Sequence, residues 1–194
     1  NRSENEENKD ASYELEEKGI GIVKVVPGND GSAGYEPGVS KAGLEKLPDG
    51  TYVARGYGSM TYALLKCYLL AGVPKEDDRV KAAIGWLAKN YAWDENPGFT
   101  KAAEMPGQKE APYWGLFYYY MTAAKALRIA GIEKLETPAG PRDWRADLAQ
   151  AILIVEQPII GFGVLAGGVL VLLRRWRRAT PASRRALAPV FASG

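Results

Sequence analysis

The chain has 194 residues, of which 46% are hydrophobic and 25% charged, enough for one folded domain with an appendage. It contains no histidine and one cysteine, Cys67, which excludes an internal disulfide framework, zinc sites with histidine ligands and Ser-His or Cys-His catalysis. Residues 1–150 carry 19 basic against 22 acidic residues, whereas residues 151–194 carry six arginines against one glutamate. This change in charge predicts a boundary near residue 152.

The segment 1–57 is predicted to form an N-terminal lead-in without helices. Residues 1–18 contain six glutamates and are typical of a solvated acidic segment. Residues 19–57 contain twelve glycines and prolines, too many for a long helix, so we expect a long ordered loop there. A loop of this length either lines a site or wraps the domain as a structural element.

Two helices are predicted next, and they form a hairpin. The first runs from Gly58 to Leu70 and is stopped by Gly72, with Cys67 expected in the core as a small hydrophobe. The second begins after Asp77 or Asp78, either of which can cap it, and extends toward Tyr91. The carboxylates at 76–78 are interpreted as capping residues, not as a catalytic acid.

A second hairpin follows, and it aligns with the first when 59 is added to each residue number. Its first helix is predicted over 113–130 and its second after Asp143, so that residues 58–152 form a helical repeat domain. Both first helices end in the same Ala-Gly pair, Ala71-Gly72 and Ala130-Gly131. Helical spacing predicts these residues to face inward: Leu64, Cys67, Ile84, Leu87, Leu116, Tyr120, Leu127 and Leu148. Two pairs would leave apolar surface uncovered, so further helical repeats or a protein partner are expected.

The third predicted helix carries aromatic residues on nearly every side. Such a helix is either packed among other helices or lines a cavity for an apolar ligand. The candidate ligand-binding residues are Tyr62, Trp114, Phe117, Tyr118 and Tyr120. No catalytic residue, metal site or cofactor is predicted.

Several segments together resemble the bacterial prenyltransferase and squalene-oxidase repeat proteins, relatives of squalene-hopene cyclase. They are RGYGSMTYALLKCYLLAGV, DDRVKAAIGWLAKNY, DENPG, YWGLFYYYMTAAKAL and DWRADLAQAI, within about residues 28–152. The resemblance implies an all-α fold, a partial α/α toroid of helical hairpins, and in enzymatic relatives an aromatic cavity for polyisoprenoid chains. The DxDD acid motif of the cyclases is absent, and Gly163 stands where the family's turn motif has tryptophan.

Two functions follow from this resemblance. The first is a non-catalytic repeat module that binds an apolar, isoprenoid-like ligand or a protein partner. The alternative is a fragment of a cyclase-like enzyme acting on polyprenyl substrates, with its catalytic acid outside this chain. Nucleic-acid binding is not expected, because the folded part is slightly acidic and its basic residues are dispersed.

The end of the chain differs from the repeat domain. Residues 158–173 lack charge and precede Arg174 and Arg175, so residues 153–178 are predicted to be a transmembrane helix with an arginine flank. A buried core helix is the other interpretation. The transmembrane interpretation predicts a membrane-anchored protein with an extracytoplasmic repeat domain and a flexible tail at 179–194.

Overall fold

A computed structural model describes residues 11–17, 21–104 and 106–178, and for residues 155–164, 175, 176 and 178 it describes the helical backbone alone. The chain divides into two compact units, Asn1–Leu148 and Ala149–Gly194. The described residues form six β-strands, four α-helices and two short 3-10 helices. The prediction of an all-α fold, and of an α/α toroid, is therefore wrong, because the chain contains two β-sheets.

A four-stranded sheet occupies the segment in which a loop was predicted. Its strands are β1 (Tyr13–Glu17), β2 (Gly21–Val26), β3 (Leu44–Lys46) and β4 (Tyr52–Ala54), in the order β1-β2-β4-β3. β1 pairs with β2 and β3 with β4 in antiparallel fashion, whereas β2 and β4 are parallel.

The glycines and prolines of this segment separate short strands and do not indicate continuous loop. Val23 and Val25 of β2 are buried while Ile22 and Lys24 are exposed, the alternation of a strand with one covered face. The prediction counted only glycines and prolines and missed this alternation of buried and exposed residues, because the strand that carries it is short.

The four α-helices begin close to their predicted positions. They are α1 (Gly58–Leu70), α2 (Asp78–Lys89), α3 (Leu116–Ile129) and α4 (Trp144–Arg178). α3 begins later than its predicted start at 113, because Ala111–Tyr113 forms a 3-10 helix in front of it.

The local signals that begin and end these helices are confirmed. Asp77 caps α2 by accepting a hydrogen bond from the Arg79 N–H, and the Asp143 carboxylate accepts from two N–H groups in the first turn of α4. Gly72 and Gly131 both adopt positive φ after their helices, as stop signals do.

Packing of the first unit centres on α1, which contacts both α2 and α3. The 3-10 helices Ala102–Glu104 and Ala111–Tyr113 lie in the connection between α2 and α3. Phe99 of this connection packs against Tyr57, which directly precedes α1, with ring centroids 4.7 Å apart. Met60 of α1 packs against the apolar cluster that these two rings form.

The residues predicted to face inward divide into three groups. Leu87, Tyr120, Leu127 and Leu148 are buried, as predicted. Leu64, Ile84 and Leu116 are half-buried. Cys67 is exposed, so its assignment to the core is wrong; Tyr62 and Leu65, on another side of α1, are buried in its place.

The fourth helix corrects the prediction for the end of the chain. β5 (Leu135–Thr137) and β6 (Gly140–Arg142) form a hairpin before it. Among the described residues, no helix is apolar over a sufficient length to cross a membrane, so the predicted transmembrane helix and the membrane-anchored location are wrong. The uncharged run at 158–173 has sixteen residues, about 24 Å of helix, shorter than the ~30 Å hydrocarbon core. The predicted flexible tail at 179–194 lies outside the described residues.

Candidate functional site: the aromatic face of the third helix

The five aromatic residues proposed to line a cavity lie in two different environments. Tyr62 and Tyr120 are in the core, whereas Trp114, Phe117 and Tyr118 are exposed. The structure therefore does not gather the five rings around one enclosed cavity.

The buried tyrosines hold the helices together. The Tyr119 hydroxyl donates to the Ala92 carbonyl at 2.7 Å, and the Tyr120 hydroxyl donates to the Trp93 carbonyl. Burial raises the pKa of Tyr62 and of Tyr119 above the usual value, so both hydroxyls stay protonated. These groups act as neutral packing and hydrogen-bonding residues.

The exposed aromatic face lies on the side of α3 opposite its buried residues. Trp114 is 42%, Phe117 59%, Tyr118 46% and Met121 48% exposed. Met121 follows Phe117 by four residues and Tyr118 by three, so these three share one side of α3, whereas Trp114 precedes the helix with an extended backbone. Large apolar side chains grouped in this way on a surface indicate an interaction site.

The alignment of the two hairpins explains this face. Adding 59 to the α1 residues Gly58, Ser59, Tyr62 and Leu65 leads to Phe117, Tyr118, Met121 and Ala124 of α3. We call these two sets the α1 front stripe and the α3 front stripe. All four residues of the α1 front stripe are buried.

The α1 front stripe is buried against α3. The Tyr62 ring lies 5.7 Å from the Tyr119 ring between centroids, and a methyl group placed on Gly58 would lie 2.7 Å from Tyr119 Cε2. The α3 front stripe is therefore the counterpart of the α1 surface that packs against α3. Three of its four residues are exposed.

A complementary surface lies on α1. The buried side of α3, from which Tyr119 contacts Tyr62 of α1, carries Tyr119, Thr122, Ala123 and Ala126. Subtraction of 59 from these numbers leads to Met60, Ala63, Leu64 and Cys67, the α1 back stripe. Ala63 and Leu64 are half-buried and Cys67 is exposed, while Leu70 beyond them is 68% exposed. Apart from Met60, which packs against the Tyr57–Phe99 cluster, the chain thus presents counterparts of both halves of its own α1–α3 contact.

A groove of about 590 Å³ lies beside the sheet and is lined partly by the Gly- and Pro-rich segment. Trp86 Nε1 donates to Asp30 Oδ2 at 3.1 Å, and the Ser32 hydroxyl donates to the other oxygen of this carboxylate at 2.6 Å. Elsewhere along the groove Arg55 Nε lies 3.6 Å from Glu45 Oε2. The described lining has no cysteine, and the chain has no histidine that could act as a base toward the serine. The groove therefore offers both polar and apolar surface for binding.

In the described part of the chain, no three Asp, Glu or Cys side chains are grouped so that they could hold a metal ion. The sequence analysis missed Met121 and misplaced Cys67. The alignment of the two hairpins pairs Met121 with Tyr62, but it gives no sign that Cys67 is exposed, because the counterpart of Cys67, Ala126, is buried.

Comparisons with known proteins add no relative: no protein-family model, curated protein or solved structure matches this chain. The resemblance to squalene-cyclase repeat proteins stays a prediction from the sequence motifs.

Proposed function

We propose that this chain is a non-catalytic helical-repeat module that binds further copies of itself head-to-tail, the α3 front stripe of one copy against the α1 back stripe of the next. The observation that carries the proposal is the equivalence between the exposed α3 front stripe and the buried α1 front stripe. The contact would repeat, between two molecules, the packing of α1 on α3 within one molecule.

The chemistry of the two stripes supports this partner. The α3 front stripe offers aromatic rings and a methionine, and the α1 back stripe offers small and aliphatic side chains, of which Ala63 and Cys67 permit close approach. Because the two stripes differ, the interface is heterologous, and unless the rotation between copies closes a ring it generates open chains. We therefore expect oligomers beyond a dimer at high concentration.

The single cysteine allows a direct test. Cys67 belongs to the α1 back stripe and Ala124 to the α3 front stripe, so head-to-tail binding should bring Cys67 of one copy close to Ala124 of the next. Native protein is mixed with the double variant Cys67→Ser, Ala124→Cys under mild oxidation. We expect a mixed disulfide between the two proteins and little disulfide in either protein alone.

The matched control replaces Ala124→Cys by Glu133→Cys, an exposed position beyond α3 and off the stripe. Equal cross-linking of both cysteine variants, or a Cys67–Cys67 disulfide as the main product, would overturn the head-to-tail arrangement. This control also separates the stripe contact from association through the exposed leucines and valines of α4.

A second measurement removes the interface. Phe117→Gln combined with Met121→Gln should abolish the concentration-dependent rise in mass seen by sedimentation, whereas Lys81→Gln on exposed α2 surface should leave it intact. Monomers at all concentrations, together with a fluorescence change on adding farnesol, would instead assign this face to an apolar ligand. Turnover of squalene detected by mass spectrometry would overturn the non-catalytic part of the proposal.

A further inference from the structure

A second cavity lies between the end of α2 and the β5–β6 hairpin, away from the α3 front stripe. Its volume is about 370 Å³, within the range of small-molecule sites. Its walls combine small apolar residues, among them Pro138 and Ala139, with the aromatic residues Tyr91 and Trp93 and the cations Lys89 and Arg142. Its described lining residues include no carboxylate.

An unsatisfied hydrogen-bond donor belongs to this wall. Trp93 is 7% exposed, and its indole N–H has no hydrogen-bond partner among the described residues. The indole N–H groups of two other tryptophans are satisfied: Trp144 donates to the Ile132 carbonyl at 2.7 Å and Trp86 to Asp30. A buried donor without a partner costs free energy, which an acceptor in the cavity would recover.

Two cationic side chains, Lys89 and Arg142, line the same cavity as this donor. Arg142 lies over the Tyr91 ring, 5.8 Å from its centroid, and donates from Nε and Nη2 to one oxygen of Asp147 at 3.0 and 2.9 Å. The Tyr91 hydroxyl donates to the same carboxylate at 2.7 Å. The two bonds to Asp147 use two of the five N–H donors of the Arg142 guanidinium. The cations Lys89 and Arg142 and the anion Asp147 together leave one positive charge in excess.

The Tyr91 and Trp93 rings meet edge to face, with their centroids 5.7 Å apart. Burial raises the pKa of Tyr91 to about 12, and the Trp93 N–H offsets part of this rise. The Trp93 N–H thus lies near enough to influence Tyr91 but makes no hydrogen bond with it. A ligand oxygen in the cavity can supply the bond that Tyr91 leaves unmade.

We propose that this cavity binds a carboxylate attached to an apolar or aromatic group. The Trp93 N–H and the Arg142 guanidinium bind the carboxylate oxygens, Lys89 adds charge at the rim, and the alanine, proline and aromatic walls contact the apolar body. A carboxylate suits the site because it accepts hydrogen bonds only and carries the compensating charge. This inference is independent of the head-to-tail contact.

The test uses the full chain labelled with ¹⁵N and follows the indole N–H signals of its five tryptophans. The spectrum of Trp93→Phe, which keeps an aromatic ring but lacks the donor, identifies the Trp93 signal. Phenylacetate is the probe and neutral phenylacetamide its matched control. We expect phenylacetate to shift the Trp93 signal saturably and to bind about tenfold more tightly than phenylacetamide, the effect of one charge-assisted hydrogen bond.

Variants then test each group. Arg142→Gln, Lys89→Gln and Trp93→Phe should each weaken phenylacetate binding several-fold, while Lys109→Gln, outside the cavity, should not change it. Comparison of phenylacetate with the dipeptide Gly-Phe shows whether a free acid or a peptide C-terminus is preferred. An unshifted Trp93 signal, equal affinity for acid and amide, or full-strength binding by Trp93→Phe would each overturn the proposal.

Discussion

The rings of Tyr62 and Tyr119 pack with their centroids 5.7 Å apart and their planes tilted by 52°, joining α1 to α3. Because Tyr62 is buried, Tyr62→Ala should lower the free energy of unfolding by about 3–5 kcal/mol, from lost burial and the resulting cavity. Urea denaturation followed by circular dichroism measures this loss. Tyr118→Ala is the control, since this ring is exposed, and should change stability by less than about 0.5 kcal/mol. Equal effects of both changes would contradict the burial of Tyr62 between α1 and α3 and the exposure of Tyr118 on α3.

Two helical glycines should respond to alanine in opposite directions. A methyl group on Gly58 would lie 2.7 Å from Tyr119 Cε2 and 2.8 Å from Pro97 Cδ, whereas Gly85 of α2 has no atom within 4 Å of that position. Gly58→Ala should therefore destabilise the fold by about 1–3 kcal/mol through overpacking. Gly85→Ala should stabilise it by up to about 1 kcal/mol, because alanine favours the helix. Thermal melts of both variants decide this, and a stabilising Gly58→Ala would show that α3 stands further from α1.

Helix boundaries were predictable because their signals are local. Asp77 bonds the N–H of Arg79, close by in the chain, and Gly72 supplies the positive φ that ends α1, so a few neighbouring residues suffice. The sheet was not predictable in the same way. β2 and β4 pair Val26 with Val53, which are far apart in the chain, and β4 is too short to show a period. Non-local pairing leaves little trace in short segments.

The aromatic residues of the site could be found in the sequence, but their orientation could not. α3 has rings on nearly every side, so helical periodicity does not say which of them face the core. The choice depends on α1, where Gly58 leaves room for Tyr119. The same packing leaves Cys67 on the exposed side of α1, although its spacing resembled that of a core position.

Asn96 should be the most sensitive polar residue of the first unit. Its Oδ1 accepts from the Ser59 N–H at 3.1 Å, and its Nδ2 donates to the Ser59 hydroxyl at 3.2 Å and the Trp114 carbonyl at 3.1 Å. Asn96 is 1% exposed, so Asn96→Ala leaves buried groups unpaired and should cost about 2 kcal/mol or more.

The control for Asn96 is Asn90→Ala, which removes one part-buried bond to the Trp86 carbonyl and should cost about 1 kcal/mol or less. Urea midpoints compare the two variants. If Asn96→Ala costs no more than Asn90→Ala, the three-way bridge from Ser59 to Trp114 contributes little to the fold.

Alkaline conditions should destabilise the protein through its buried tyrosines. Burial raises the pKa of Tyr57 and of Tyr91 to about 12, with Asp147 contributing at Tyr91, and also raises the pKa of Tyr62 and Tyr119. In the unfolded chain these groups titrate near pH 10, so above about pH 10 the unfolded state releases protons that the folded state retains. The raised values therefore leave stability unaffected well below pH 10 and reduce it progressively between about pH 10 and 12.

Urea midpoints at pH values from about 8 to 11.5 measure this loss, and absorbance at about 295 nm reports tyrosinate formation. The four buried tyrosines should leave the urea midpoint level up to about pH 9.5 and lower it at higher pH. Part of the tyrosinate signal should appear only as the chain unfolds. Tyr91→Phe, which removes one titrating hydroxyl, should make the fall less steep. A midpoint that stays constant to pH 11.5 would mean that these hydroxyls are solvated in the folded chain, contrary to the packing of α1 between α2 and α3.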